Sequence, residues 1–378
     1  MLFRDYVNKT FSEENRIQND ELDMLRKSEL PCVVYGTGFR AKMLTEHLSA
    51  NGITISAYSE SSQFWREGKT FMGKAVVNAE NLNQLYDTYN LVIGCSGASM
   101  ADNIAVFLRN PTIGHVFFFE KFMIPCEISY EWVIKHLDEL DETFKMLEDD
   151  ESRTVFLSYI QSHVECLNTD IPPLWSLCRK AQYFNELYRF KNFPQHALLD
   201  GGGFVGDTAE AFLDFVADEV KPKAVYSFEP DEDNYSKIVT VAKRYNDIYA
   251  YNYALGETNG ETFFEMGNLS MSKITSQSSG ERIRVVSADT IIGDKQISFV
   301  KLDLEGGEMD ALRGMKRIIS EQMPFLAICV YHRTEDLITI PQYIRTLAKD
   351  NNRAVRYKYY LRHHDIQPHE TVFYAVPV

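Results

Sequence analysis

The chain has no surplus of positive charge: 39 lysines and arginines stand against 54 aspartates and glutamates, for a net charge of −15 over 378 residues. Phosphate backbones are held by clustered cations, so a large nucleic-acid surface is excluded. No apolar run approaches the roughly 20 residues that a membrane-spanning helix needs. The opening stretch MLFRDYVNKTFSEEN is polar and charged and does not read as a secretory signal. Six cysteines (Cys32, Cys95, Cys126, Cys166, Cys178, Cys329) are scattered without a C-x-x-C pair. They read as reduced thiols of a cytoplasmic protein and give no structural metal site. There is no internal repeat and no low-complexity tract. What remains is an ordinary globular composition, 45% hydrophobic and 25% charged, long enough for two cores.

Three regions follow from the periodicity. In residues 1–126, a charged amphipathic helix precedes PCVVYGTGFRAKML, ITISAYSESS, YNLVIGCSG and HVFFFEK, an alternation of apolar strands and helices. Residues 127–195 show helical spacing without a strand signal, and DDESR reads as the cap of a second helix in this connector. Residues 196–378 return to strands and helices and finish in RYKYYLRHH and ETVFYAVPV, which alternate as an antiparallel hairpin does. The expected class is α/β: a doubly wound sheet with an antiparallel edge, preceded by a smaller Rossmann-like unit and a helical connector.

The stretch LLDGGGFVGDTA carries G-x-G-x-x-G at Gly201, Gly203 and Gly206, the spacing of dinucleotide-binding turns. Asp200 stands before the first glycine and Asp207 after the last. Asp200, Glu229, Asp303 and His332 all fall at carboxyl ends of predicted strands, where open α/β sheets bind ligands. Three acids among four make a poor setting for a diphosphate. They suit S-adenosylmethionine, which has a sulfonium, an α-ammonium, an α-carboxylate and a ribose diol. On this reading Gly201, Gly202 and Gly203 let the backbone approach the methionyl part, and Asp200 serves the ammonium directly or through water. The N–H groups at Asp207 and Thr208 receive the carboxylate. Glu229 accepts the ribose hydroxyls, and Ala254 and Leu255 lie near the adenine.

With these residues in view, LLDGGGFVGDTAEAF, VYSFEPD, NYALGE, FVKLDLEGGEMDALRG, AICVYHRTEDL and HETVFYA, in this order, resemble the FkbM family of S-adenosylmethionine-dependent methyltransferases. The likeness covers about residues 180–378, and K-x-D-x-E-G is its most specific block. It implies a class I methyltransferase sheet and O-methylation, commonly of sugars or polyketide hydroxyls, without fixing the acceptor.

Side chains alternate along a strand, so Lys301 and Asp303 share one face. Asp303 would end its strand beside the methyl-bearing end of the cofactor, holding the methionyl ammonium or orienting the acceptor hydroxyl. Lys301 and Glu305 are candidate substrate contacts. Asp303 and Glu305 could share a divalent cation, as clustered acids do in some catechol-type methyltransferases, but a hard cation wants more oxygen ligands than this stretch offers, so no metal is assigned; Glu308 reads as a helix cap. His332, near its unperturbed pKa, is the candidate general base; a histidine that only hydrogen-bonds its loop or contacts substrate is the competing reading. His363, His364 and His369 read as exposed edge residues.

The earlier turn VVYGTGFRAKML holds Gly36 and Gly38 with no acid inside it, so it tolerates a phosphate. It resembles the small Rossmann-like units that precede some sugar-modifying enzymes and bind nucleotide-linked sugars. Gly36 and Gly38 are therefore candidate acceptor contacts, with Glu60 as a candidate ribose ligand; a spacer or dimerisation module without ligand is the competing reading. The expected function is O-methylation of a sugar, nucleotide-sugar or glycoconjugate, with a homo-oligomer left open. The alternatives are an NAD-dependent dehydrogenase or epimerase, weakened by Asp200 and by the wrong spacing of Tyr188 and Lys191, and a non-catalytic protein of a glycan pathway.

Overall fold

The computed structural model describes residues 2–10, 21–97, 100–119, 122, 127–164, 171–265, 273–275, 281–349 and 356–378. Cys126 and Cys166 fall outside them; Cys32, Cys95, Cys178 and Cys329 are free thiols. The first sheet comprises β1 (Cys32–Tyr35), β2 (Ile55–Glu60), β3 (Thr70–Phe71), β4 (Lys74–Asn78), β5 (Tyr89–Ile93) and β6 (Ile113–Phe117). Its order is β3-β4-β2-β1-β5-β6, parallel except for β3. The short strands β3 and β4 carry too few apolar residues to announce themselves. Buried clusters cover both faces of this sheet.

Further along, β7 (His196–Gly201), β8 (Lys223–Phe228) and β9 (Ile248–Tyr251) open the main sheet. An insertion then builds a small sheet from β10 (Ala254–Leu255), β11 (Gly260–Glu265), β12 (Lys273–Thr275) and β13 (Glu281–Val286). The chain returns with β14 (Phe299–Leu302), β15 (Phe325–Cys329), β16 (Tyr357–His363) and β17 (Thr371–Pro377). The main sheet runs β16-β17-β15-β14-β7-β8-β9. Its first five strands in sequence are parallel, and β17 runs antiparallel to both β15 and β16. This is the doubly wound sheet with an antiparallel edge expected from the sequence. Strands β7, β14 and β15 are buried along their whole length, because helices cover both faces of a parallel sheet. Strand order reverses between β7 and β14, and loops leaving the two strands diverge there to form a crevice.

The connector is only partly helical. Helices Tyr130–Lys135, Leu137–Met146 and Asp150–Val164 are present. As the DDESR reading implies, Asp149 accepts the Ser152 N–H at 2.8 Å. Burial alone would raise its pKa, but hydrogen bonds from Arg362 and Ser152 outweigh that and bring it down to about 2. Residues 171–195 hold only 3-10 turns. Their apolar side chains, among them Tyr183, Leu187 and Tyr188, dock on the main core and do not form one face of a helix. The expected N-terminal helix is present as Phe3–Thr10 and Glu21–Lys27. Phe3, Tyr6 and Val7 join the core of the main sheet, packing with Phe144 and Phe156, whereas Leu25 joins that of the first sheet. No helix among the described residues is long and apolar enough to cross a membrane.

Candidate active site

The glycine turn after β7 is shaped by close approach. Gly202 has φ +77°, and a Cβ there would lie 2.0 Å from the Asp303 carbonyl oxygen; one on Gly203 would lie 2.1 Å from Ser227 Oγ. The turn thus folds against the ends of β8 and β14, and its Gly202 and Gly203 N–H groups both donate to Phe228 O.

Asp200 does not reach a ligand directly. It is 0% exposed, accepts from Ser227 Oγ at 2.8 Å, and stands 3.4 Å from the Lys301 ammonium. Lys301, the candidate substrate contact, is likewise spent. Its Nζ donates to Gly201 O at 3.1 Å and Gly202 O at 2.6 Å as well as facing Asp200. Burial lowers the ammonium pKa, but the charges of Asp200 and Asp303 more than offset it and hold Lys301 protonated. The reason is register: Lys301 and Asp200 are paired neighbours on β14 and β7. Together they brace the turn.

Above the turn lies a cavity of about 300 Å³. Among the expected residues, Gly202, Asp207, Thr208, Glu229, Ala254, Leu255, Lys301, Asp303 and Glu305 line it. Gly201 and Gly203 lie behind it. Glu229 accepts Phe204 N–H at 2.9 Å on one oxygen and Asp231 N–H at 3.0 Å on the other. Burial raises its pKa to about 7. Each oxygen keeps a lone pair for a further donor. Helix Asp207–Phe215 starts after Gly206 without a side-chain cap, so its first N–H groups can receive a carboxylate.

The far end of the cavity is an acidic edge. Asp303 accepts from Tyr183 OH at 3.0 Å and faces Tyr331 OH at 3.2 Å. Burial would raise its pKa, but Lys301 and His332 pull it below the ordinary value. Glu305 and Glu370 complete the edge; burial raises them to about 8 and about 7. Phe204, Glu305 and Glu370 have φ of 46°, 53° and 55°, and all three line the cavity, strain of the kind that collects at functional sites. Sequence reasoning missed Gln182, Tyr183 and Glu370 as wall residues. The only signal for Glu370 was its place in the HETVFYA block.

His332 differs from the expected free base. It does not line the cavity; its ring is held behind Asp303 and Glu305. Nδ1 meets Glu308 Oε1 at 2.8 Å, and Nε2 stands 3.5 Å from Asp303 and 3.6 Å from Glu305. Burial lowers its pKa, but these three carboxylates outweigh burial and push it up to about 10. It therefore keeps its proton at neutral pH. Glu308 does more than cap a helix, since Oε1 also accepts Leu304 N–H at 2.7 Å.

The other histidines are also corrected: His363 and His364 are buried, not exposed, because the connector helix and the first sheet cover the hairpin. His363 bonds Thr371 and His364 bonds Tyr374, each at 2.9 Å, and burial depresses both pKa values. Gly36 and Gly38 do not line the cavity. In that turn Gly36 N–H donates to Ser59 O, and Glu60 is engaged by Thr37 and by Lys69. At the same edge Asp365 accepts Gly97 N–H at 2.8 Å, and the neighbouring Ile366 is buried in the first sheet's core.

Residues 200–357 match the family model described as the methyltransferase FkbM domain. That stretch is similar to an FkbM methyltransferase domain. A solved methyltransferase FkbM from Methylobacillus flagellatus KT is similar in fold over 99% of this chain and 98% of its own, with a TM-score of 0.65 and 20% identity. An rRNA methylase from Streptococcus thermophilus is similar over 49% of this chain and 88% of its own (13% identity, TM-score 0.30). Aeropyrum pernix fibrillarin, solved with natively bound S-adenosyl-L-methionine, is similar over 48% and 66% (13% identity, TM-score 0.30). The last two likenesses are too loose to bear on function. No curated protein sequence matches the chain. The FkbM match sets aside the dehydrogenase or epimerase reading of the glycine turn. Gln182, Tyr183 and Glu370 lie outside the stretch matched to the FkbM domain, so part of the cavity wall is built by flanking chain.

Proposed function

We propose that the cavity binds S-adenosylmethionine and that the protein transfers its methyl group to a hydroxyl of a sugar or glycoconjugate. One observation carries this: among the described residues Lys301 is the single cation lining the cavity, and it is bound by Asp200 and two carbonyls, while Asp207, Glu229, Asp303, Glu305 and Glu370 supply carboxyl groups. A diphosphate would meet carboxyl groups and no free cation; a sulfonium with an ammonium and a diol meets acceptors.

In this reading Glu229 accepts the ribose hydroxyls, and Ala254, Leu255 and Tyr253 flank the adenine. The N–H groups opening helix Asp207–Phe215 take the methionyl carboxylate. Asp303 stands at the methyl-bearing end, where it holds the ammonium and orients the acceptor. Asp200 acts at one remove, through Lys301 and the turn. Glu305, Glu370 and Gln182 offer the several acceptors and donors that a polyhydroxylated ring satisfies. Positioning the acceptor oxygen in line with the S–CH3 bond supplies much of the rate.

Calorimetric titration with S-adenosylhomocysteine and with NAD, side by side, tests the cofactor. Tight binding of NAD with no heat from S-adenosylhomocysteine would refute the assignment.

A further inference from the structure

Phe204 has no role in the reading above, and the fold alone gives no reason for it. Its φ is 46°, in the left-handed region where a side chain crowds its own backbone and where glycine or asparagine is the cheap choice. The residue is large and apolar, yet it stays 38% exposed. Among the described residues it joins none of the buried apolar clusters. Folding therefore gains little from the phenyl group and loses backbone free energy to hold it. A scattered exposed aromatic needs no explanation, but Phe204 lines the cavity. Strain of this kind persists where a site requires the side chain.

Its neighbours say which part of a ligand it meets. Phe204 N–H donates to Glu229 Oε2 at 2.9 Å, so the residue stands beside the carboxyl group assigned to the ribose diol. Just beyond it, the uncapped helix Asp207–Phe215 offers the N–H groups assigned to the methionyl carboxylate. In S-adenosylmethionine the atom that joins the ribose to the methionyl chain is the sulfonium sulfur. Phe204 is thus an aromatic residue set between the two anchors of that atom. The other rings lining the cavity are engaged elsewhere: Tyr183 bonds Asp303, and Phe228 stacks on Tyr251 with centroids 4.8 Å apart. A sulfonium has no N–H or O–H to donate to the carboxyl groups around it, but a cation is drawn to the face of an aromatic ring.

We propose that the Phe204 ring faces the sulfonium of bound S-adenosylmethionine and makes the site prefer the charged cofactor to the neutral thioether left by methyl transfer. This rests on the cofactor reading above and adds to it a residue that selects between cofactor and product. In the transfer the acceptor oxygen forms the O–C bond, the S–C electron pair stays on sulfur, and the hydroxyl proton passes to water. The positive charge on sulfur is then gone, the ring no longer attracts it, and S-adenosylhomocysteine is released more readily. The sequence does not mark Phe204, because it occupies a variable position of the glycine turn and its strain appears only in the fold.

The test titrates the full chain with S-adenosylmethionine and, separately, with S-adenosylhomocysteine, without acceptor so that no turnover intervenes. Phe204→Leu keeps an apolar side chain at the same backbone angle and removes the ring. Phe204→Asn removes the ring and suits the left-handed backbone. In both variants affinity for S-adenosylmethionine should fall about 2–30-fold further than affinity for S-adenosylhomocysteine, the range of a cation–π contact. The carboxyl groups of the acidic edge also favour the charged ligand, but they are the same in parent and variants, so the change in the ratio isolates the ring. Phe204→Asn should at the same time raise the thermal transition of the free protein. An unchanged ratio in both variants overturns the proposal. So does a Phe204→Asn protein that melts well below the parent, because the ring would then be held for packing. A parent that binds neither ligand refutes the cofactor reading and this proposal together, whereas a parent that binds both, with the ratio unchanged in the variants, refutes this proposal alone.

Discussion

Glu229 offers the sharpest test of the cofactor assignment, because its two duties separate with pH. Each carboxylate oxygen already accepts one backbone N–H, so the ribose diol must use the remaining lone pairs. Those are fully available only in the ionised form. With a pKa of about 7, about one molecule in eleven is ionised at pH 6 and about ten in eleven at pH 8. Apparent affinity for S-adenosylhomocysteine should therefore rise about tenfold across that interval, since only the competent fraction binds. Binding should also release protons, seen as a dependence of the calorimetric heat on the buffer. Glu229→Gln replaces one acceptor with a donor and should cost ~1.5–3 kcal/mol, the worth of hydrogen bonds to a charged group, or roughly 10–150-fold in Kd. The free protein moves the opposite way. A carboxyl whose folded pKa lies above its unfolded value gives up stability as pH rises from 4.5 to about 7. Flat affinity between pH 6 and pH 8, or a Glu229→Gln variant binding within twofold of the parent, would refute the reasoning.

Three further outcomes are expected. Gly202→Ala places a Cβ 2.0 Å from the Asp303 carbonyl at φ +77°; it should lower stability by on the order of 3 kcal/mol and abolish S-adenosylhomocysteine binding, read by thermal melting and calorimetry. Lys301→Met leaves Asp200 as an unpaired buried charge and should cost ~3–5 kcal/mol in urea unfolding at neutral pH, the deficit shrinking as acid protonates Asp200. A chain beginning at residue 127 lacks Phe3, Tyr6 and Val7 and uncovers Ile366. The loss of Phe3 alone is of the ~3–5 kcal/mol class, so this chain should show no cooperative melt like that of the whole protein; an unchanged melting temperature would contradict the packing described.

The main sheet was legible because β7, β14 and β15 are continuous apolar runs ending in chemistry-bearing residues. The two-residue period also placed Lys301 and Asp303 on the side where both meet the cavity. What the period cannot carry is strand order. Only the adjacency of β7 and β14 reveals that Lys301 is consumed by Asp200, and only the loop after β15 reveals that His332 is enclosed by three carboxylates. Gln182 and Tyr183 were hidden for another reason. Their segment has no regular backbone pattern, and its apolar residues mimic helical spacing while packing against the main core. Glu370 sits at a turn, where identity follows from tertiary position.

The tip of the β16–β17 hairpin lodges in the first sheet at the edge where such sheets receive ligands. Asp365 takes the Gly97 N–H, Gln367 receives Arg40, and Ile366 is buried in the first sheet's core. The two sheets are thus not interchangeable cassettes. The hairpin that carries Glu370 to the cavity is also the plug that fits the neighbouring sheet. An exchange of residues 21–119 between relatives would therefore have to carry the matching turn, some 245 residues further along the chain, or the far wall of the cavity would lose its anchor. Modularity in this protein runs through the contact at Asp365, Ile366 and Gln367, and not along the order in which the chain is synthesised.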